Sequence, residues 1–120
     1  MSKLVLTVDD SRLARLMIIK TLKPNHEDWE FDQASSGEEA VKMASEKRYD
    51  LFFVDFNMEG MNGVETIAEL RKDYPDTPIA LVTANVQASV QDASNALNVK
   101  VIGKPVTPEK LNGWVTESNI

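Results

Sequence analysis

The stretch from Leu51 to Gly63, LFFVDFNMEGMNG, sets the kind of fold that this chain adopts. It opens with four apolar residues, ending at Val54, and such an uninterrupted run is typical of a parallel strand covered by helices on both faces. The run stops at Asp55, and the glycines at Gly60 and at the end of the stretch indicate a loop. A buried strand with a carboxylate at its end therefore lies near the middle of the chain.

Short apolar runs alternate with longer amphipathic stretches on both sides of this segment. Each of the five runs is followed by a pattern of helical period, and cap signals such as Ser36 to Glu39 (S-x-x-E), Asn62 and Thr107-Pro108 mark where helices begin. Five such units predict an α/β fold: a five-stranded parallel sheet with helices on both faces, joined by right-handed crossovers. The other four predicted strands are Leu4 to Val8, Trp29 to Ala34, Ile79 to Val82 and Val99 to Ile102.

Apolar residues three and four positions apart predict which side of each helix faces the sheet. The fourth helix, predicted from Gln87 to Leu97 with Asn98 as a left-handed stop, contains weak helix formers and small apolar residues. We expect it to be mobile, and close packing of its small residues in a rigid helix is the alternative. The predicted inward residues of the other helices include Leu13, Leu16 and Met17 in the first, Val64, Ile67 and Ala68 in the third, and Leu111, Trp114 and Val115 in the last.

Composition limits the classes of function. A chain of 120 residues suits one domain with one core. Its formal net charge of −6 opposes nucleic-acid binding, because phosphate contacts require clustered Lys and Arg. Cysteine is absent, which excludes disulfides and thiolate metal sites, and no apolar run approaches the roughly 18 residues of a membrane helix. We expect a single cytoplasmic domain over residues 1–120, with no direct nucleic-acid binding and no membrane insertion.

Polar residues stand at the ends of four of the five predicted strands. Asp9 and Asp10 follow the first strand, Asp55 the third, Thr83 the fourth and Lys104 the fifth. Ligand sites in open parallel sheets lie beyond these carboxyl ends, so we expect the five side chains to converge. Taken singly, each has an ordinary structural explanation, since acids favour helix N-termini and Asp is common in turns. Their joint placement favours a site.

Three carboxylates in one crevice require a compensating charge. At about 4 Å and an effective dielectric near 20, each pair repels by roughly 4 kcal/mol. Oxygen ligands without imidazole or thiolate favour a hard cation, and a few carboxylates with waters and a phosphate oxygen suit Mg²⁺. With that ion bound, Asp55 can attack a phosphoryl group while Lys104 supplies a second positive charge and Thr83 a hydrogen bond.

The chain resembles the response-regulator receiver family of two-component signalling over its whole length, and its chemotaxis-type single-domain members most closely. The resemblance implies a flavodoxin-like strand order of 2-1-3-4-5, a cis bond before Pro105, and a histidine kinase as phosphodonor. It further implies that Asp10, Asp55 and the carbonyl of Asn57 ligate Mg²⁺ directly, with Asp9 acting through water. The matching motifs are Asp9-Asp10, Asp55 to Gly63, Thr83-Ala84 and Lys104-Pro105.

The same resemblance implies a phosphoacceptor that is not a turnover enzyme and that catalyses only its own phosphorylation and slow dephosphorylation. Phosphorylation would switch the face of helix four, strand five and helix five for a downstream protein that the sequence does not identify. The family's aromatic residue in strand five is Val101 here, so a rotating ring is not expected to transmit the signal. Asn85 is expected either to influence dephosphorylation or to cap helix four.

Two functions from other classes remain alternatives. An aspartyl-phosphate hydrolase also uses a nucleophilic Asp with Mg²⁺, but it usually has a second acid two residues later, where this chain has Asn57. A flavodoxin-like cofactor binder should offer a Gly-, Ser- or Thr-rich phosphate loop after strand one. Asp9-Asp10-Ser11 presents negative charge there instead. Turnover of a phosphomonoester would support the first alternative, and flavin absorbance the second.

Overall fold

The computed structural model describes residues 2–84 and 87–118, and its centre is one parallel sheet. The strand order is β2-β1-β3-β4-β5, which confirms both the predicted fold class and the predicted order. A helix follows each strand, and a short 3₁₀ turn extends the first helix. The strands are β1 (Leu4–Val8), β2 (Glu30–Ala34), β3 (Leu51–Asp55), β4 (Ile79–Thr83) and β5 (Lys100–Gly103), and the helices are α1 (Arg12–Leu22), α2 (Gly37–Glu46), α3 (Gly63–Asp73), α4 (Ala88–Ala96) and α5 (Pro108–Glu117).

Helices α2 and α3 begin at the predicted caps. Ser36 accepts a hydrogen bond from the Glu39 N–H at 3.0 Å, while the Glu39 carboxylate accepts one from the Ser35 N–H, one residue earlier than a regular capping box would place it. Asn62 and Glu65 form a complete capping box, with both reciprocal bonds at 2.9 Å. These local bonds fix where the chain turns from sheet to helix on this face.

The sheet is covered on both faces, as the apolar run of β3 predicts. One core lies under α2, α3 and α4, and the other lies under α1 and α5. All five residues of β3 are buried, because that central strand contributes side chains to both cores. The predicted inward stripe of α5, formed by Leu111, Trp114 and Val115, is confirmed by their burial.

The predicted inward face of α1 was wrong. Leu13 and Met17 are exposed over 70% and 46% of their surface, whereas Ile18 and Leu22 are buried. Nearly every position of α1 from Leu13 to Ile19 is apolar, so the spacing alone left its orientation open. Two large apolar side chains are consequently exposed to solvent on α1.

The predicted inward face of α3 was wrong at one position. Ala68 is exposed, and Thr66 and Leu70 are buried beside Ile67. Thr66 tolerates burial because its hydroxyl donates to the carbonyl of Asn62 at 2.8 Å, which satisfies the polar group.

Two backbone features after α4 agree with the sequence. Asn98 has φ 57°, which confirms the left-handed stop, and the Lys104-Pro105 bond is cis.

Within residues 2–84 and 87–118, no helix combines the length and apolarity needed to cross a membrane.

Candidate phosphoryl-transfer site

The register of the sheet brings the predicted site residues to one edge. Val8 of β1 lies opposite Val54 of β3, so Asp9 and Asp55 both follow directly from that pair. Asp55 lies opposite Val82, and the next residue of β4, Thr83, pairs with the last residue of β5. Four strand ends therefore meet where the sequence predicted a site.

The three carboxylates form one cluster. Ligand oxygens of Asp9, Asp10 and Asp55 all lie within 4.8 Å of one another. Asp9 is 4% exposed and Asp55 is 6% exposed, whereas Asp10 is open to solvent. Two buried anions and a third at the entrance are costly unless a cation compensates them.

Lys104 supplies part of that compensation. Its ammonium lies 2.8 Å from Oδ1 of Asp55 and 3.4 Å from Oδ2 of Asp9. Its backbone N–H donates to the carbonyl of Thr83 at 2.9 Å, which ties the end of β5 to the end of β4. One residue thus joins the acidic cluster to the fourth strand.

The pKa values of this ion pair show which effect dominates. Burial raises the pKa of Asp55 above its ordinary value; the Asp9 and Asp10 charges add to the rise, and the hydrogen bond and charge of Lys104 only partly oppose it. Burial acts to lower the pKa of Lys104, but its bond to Asp55 and the charges of Asp55 and Asp9 raise it overall. Both pKa values are therefore raised. Two nearby carboxylates stabilise the charged form of Lys104, whereas burial and two like charges outweigh the single cation beside Asp55.

Asp9 is held more firmly than the sequence indicated. Its Oδ1 accepts the N–H of Ser11, the cap of α1, at 2.9 Å, and its carbonyl accepts a guanidinium N–H of Arg15 at 2.6 Å. Ser11 is the N-cap of α1, so the side chain of Asp9 holds the cap residue and does not itself cap the helix. The role of Arg15 was missed, because a carbonyl acceptor six residues earlier has no signature in the sequence.

Gly63 packs directly against the end of β3. Its N–H donates to the carbonyl of Phe56 at 2.8 Å. A Cβ at this position would overlap the Asp55 carbonyl oxygen and lie 2.7 Å from Cδ1 of Leu81 and 2.8 Å from Cα of Phe56. A side chain there would displace the end of β3, so the glycine is required by close approach.

The structure describes two of the three other residues that were predicted to take part in the site. Thr83 is buried, 1% exposed, as the last residue of β4. Asn57 is exposed two residues beyond Asp55, and its role as a carbonyl ligand stays a prediction. Asn85 lies outside the described residues, so its predicted roles also stay predictions.

An apolar cavity of about 410 Å³ opens beside the cluster. Asp9 and Lys104 border it on the polar side. The exposed Met17 of α1 faces it, and the apolar residues Ala14, Ile18, Val82, Ala84, Pro105 and Val106 complete its lining. The site thus consists of an acidic cluster with an apolar cavity beside it.

The donor set of the cluster fits a magnesium ion. It consists of carboxylate oxygens, which suit a hard divalent cation, and the three ligand atoms are close enough to share one ion. Lys104 would remain beside the ion and neutralise a further negative charge. In this arrangement the ion and Lys104 would compensate the repulsion between a phosphoryl group and the carboxylates, so the group could approach Asp55.

Comparison with known proteins points to one family. The receiver domain of response regulators matches residues 5–116 of the chain. The chemotaxis protein CheY4 of Vibrio cholerae is 30% identical, with a TM-score of 0.88 over 98% of this chain and 99% of that one. The response regulator TrrA of Thermotoga maritima, solved in complex with Mg²⁺ and BeF, is 32% identical, with a TM-score of 0.84 over 97% and 98% of the two chains.

Similarity also extends to longer proteins. The sensor protein EvgS of Escherichia coli is 32% identical over 114 residues, which cover 94% of this chain but 9% of that protein. The chain spans less than half of the length of the curated relatives it matches, between 9% and 40%.

Proposed function

The chain belongs to the response regulator receiver domain family, and we propose that it accepts a phosphoryl group from a histidine kinase on Asp55 with Mg²⁺ bound by the acidic cluster. Receiver domains act in two-component phosphorelays, take phosphoryl groups from histidine kinases and bind Mg²⁺ at an acidic pocket. The proposal assigns these general properties to particular residues over one domain, 1–120, in the cytoplasm.

One observation carries the proposal: Asp55 lies inside a cluster of three carboxylates and within 2.8 Å of the Lys104 ammonium. A carboxylate that only ended a strand would not need a buried carboxylate, a second carboxylate at the surface and a lysine ammonium beside it. The response regulator TrrA was solved in complex with Mg²⁺ and BeF, which supports Mg²⁺ as the metal.

Each residue has a distinct part in the proposed reaction. Asp10, Asp55 and the carbonyl of Asn57 would hold Mg²⁺ directly, and Asp9 would act through water. When bound, Mg²⁺ supplies charge that screens the carboxylates and orients a phosphoryl oxygen. An Oδ of Asp55 attacks phosphorus as the phosphorus–nitrogen bond of the donor's phosphohistidine breaks, giving an acyl phosphate. The bonding electron pair stays on the ring nitrogen, and the ring leaves as a neutral imidazole because its other nitrogen carries a proton.

Lys104 and Thr83 would receive the transferred group. The ammonium of Lys104 already contacts Asp55, so it needs little movement to bind a phosphoryl oxygen. The hydroxyl of Thr83 would donate to another. With donors on different strands, the group is held from several sides in the orientation that in-line transfer requires.

The signal is proposed to leave through the face formed by α4, β5 and α5. Phosphorylation can shift the equilibrium between an inactive and an active state of this face only to the extent that the phosphoryl group interacts differently with the two states. Thr83 supplies that difference at the end of β4, directly before the segment that leads into α4. Val101 has no ring to rotate, so the response of this face depends on Thr83 and α4.

A protein donor suits the surroundings of Asp55. The apolar cavity lies beside the cluster with the exposed Met17 in its lining, and Leu13 of the same helix is exposed as well. Exposed apolar surface of this kind is favourable for contact with another protein.

The two alternatives have less support. A hydrolase would need an acid where Asn57 stands, and a flavodoxin-like binder would need a phosphate loop where Asp9-Asp10-Ser11 presents carboxylates. A receiver should neither turn over a generic phosphomonoester nor absorb as a flavoprotein.

Incubation with acetyl phosphate and Mg²⁺, followed by intact mass measurement, tests the proposal. Wild type should gain one phosphoryl group and Asp55→Asn none; equal gain by both, or no gain by wild type, would contradict it. A calorimetric titration tests the metal separately, since Asp10→Ala should lose Mg²⁺ binding that wild type shows.

A further inference from the structure

Lys110 lies in the first turn of α5, where a basic residue is unfavourable. Thr107 caps this helix and accepts a hydrogen bond from the Lys110 N–H at 3.2 Å. The third helical position after such a cap favours Glu or Gln, and the positive end of the helix dipole disfavours a cation. Lys110 therefore departs from its local preference, and such departures often mark a compensating contact elsewhere.

The compensating contacts are two backbone carbonyls. The Lys110 ammonium donates to the carbonyl of Gly103 at 3.1 Å and to that of Pro105 at 3.2 Å. Gly103 is the last residue of β5, and Pro105 begins the connection to α5. These two residues are the immediate neighbours of Lys104, so a single cation holds the chain on both sides of it.

The remaining backbone restraint on Lys104 comes from the sheet. Its N–H donates to the carbonyl of Thr83, and its side chain then reaches Asp55 and Asp9. A long side chain reaches its target reliably only if its own backbone is fixed, and small displacements of a charged group slow transfer strongly. The loop after β5 has no regular structure of its own to provide this restraint.

We propose that Lys110 is a positioning residue for phosphoryl transfer: its ammonium clamps the chain on either side of Lys104 and thereby keeps the Lys104 ammonium on Asp55. This inference rests on the proposed function and deepens it, because it names a residue outside the acceptor cluster on which the reaction rate depends.

The test compares initial rates of phosphorylation by acetyl phosphate at saturating Mg²⁺. Lys110→Met keeps the aliphatic stem and removes the donors, so it should slow phosphorylation on the order of fivefold to tenfold. Lys110→Arg retains donors and should restore most of the rate. Lys42→Met, at an exposed lysine of α2 on the other face of the sheet, is the matched control and should leave the rate unchanged.

A double-mutant cycle distinguishes positioning from a general loss of structure. If Lys110 acts through Lys104, Lys110→Met should slow a Lys104→Met variant no further. Mg²⁺ affinity should stay at the wild-type value in Lys110→Met, because the ligand carboxylates lie on other strands.

Amide hydrogen exchange gives a readout that needs no phosphorylation. The Lys104 N–H should exchange several-fold faster in Lys110→Met than in wild type or Lys42→Met. If wild type gains no phosphoryl group, the proposed function fails, and this exchange measurement still decides whether Lys110 holds Lys104. Unchanged exchange and rate in Lys110→Met, or an equal further loss in the Lys104→Met background, would overturn the inference.

Discussion

Replacing Gly63 by alanine should destabilise the protein, and the structure gives the reason and the size. The added Cβ would overlap the Asp55 carbonyl oxygen and lie 2.7 Å from Leu81 Cδ1 and 2.8 Å from Phe56 Cα. Two of these three neighbours are backbone atoms, so no side-chain rotation relieves the contact. Overpacking of this kind costs about 1 to 3 kcal/mol, and the gain in helix propensity at the start of α3 offsets only part of it. We expect a net loss of about 2 kcal/mol in the free energy of unfolding.

Gly113 offers a matched control in the same chain. It lies inside α5, is exposed, and a Cβ there would meet nothing within 4 Å. Gly113→Ala should therefore stabilise the protein by about 0.5 to 1 kcal/mol through helix propensity alone. The same substitution is thus predicted to change the free energy of unfolding in opposite directions at the two glycines. The comparison separates the effect of steric contact from that of helix propensity.

Urea unfolding monitored by tryptophan fluorescence measures both effects, because Trp29 and Trp114 are buried in the core under α1 and α5. At a typical slope of about 1 to 3 kcal/mol per molar urea, the Gly63→Ala midpoint should fall by about 1 M. The same variant should accept a phosphoryl group more slowly from acetyl phosphate, because relief of the overlap moves the end of β3. Midpoints that shift in the same direction for both variants, or a Gly63→Ala midpoint equal to wild type, would refute the steric argument.

Four further outcomes are expected. Arg71→Ala should lower the free energy of unfolding by roughly 2 to 3 kcal/mol in urea titration, because its guanidinium donates to four backbone carbonyls; a loss no greater than that of Lys42→Ala would count against this. Asn62→Ala should cost about 1 kcal/mol by the same measurement, since it removes the capping box of α3, and Asn62→Asp should retain most of the stability. Burial opposes ionisation of Asp32, but its bonds to Lys47 and Tyr49 lower its pKa overall below the ordinary 3.8. A lowered carboxyl pKa contributes stability that is present above the unfolded value and lost as pH falls through the folded one, so wild type should lose more stability than Asp32→Asn between pH 4 and about pH 2. Amide exchange in α4 should be faster than in the central strands, and equally slow exchange would show that the helix is rigid.

The candidate site could be predicted because its position follows from the order of strands and helices along the chain. Asp55 stands directly after an apolar run, and Lys104 follows the predicted strand Val99 to Ile102 with only Gly103 between. Parallel strands bring their carboxyl ends to one edge whatever the details of packing. The same holds for the cap at Asn62, whose partner lies three residues away. Predictions of this kind depend on local spacing and on topology, and both are present in the sequence.

Contacts made by long side chains to carbonyls of other elements were not predictable. Arg71 binds the carbonyls of Leu97 and Asn98, and Lys110 binds those flanking Lys104. A carbonyl is present at every residue, so the acceptor leaves no mark in the sequence, and only the donor can attract notice. The prediction of the inward face of α1 was wrong for a related reason. Nearly every position from Leu13 to Ile19 is apolar, so the orientation of the helix is set by its contacts with the sheet and α5.

If Asp55 accepts a phosphoryl group as proposed, the restraints on α4 limit how the resulting signal can travel. The C-terminal end of this helix is held by Arg71, whose guanidinium binds the carbonyls of Leu97 and Asn98. Its buried contacts are few, and one of the two buried residues, Ser94, satisfies its hydroxyl on the carbonyl of Val90 within the same helix. An inward movement of Thr83 would therefore pull on the N-terminal end of α4 while its other end stays fixed to α3. Because Val101 has no aromatic ring to swing inward, we expect the helix to pivot about its Arg71-bound end, so that its first turn changes the surface offered to a partner most.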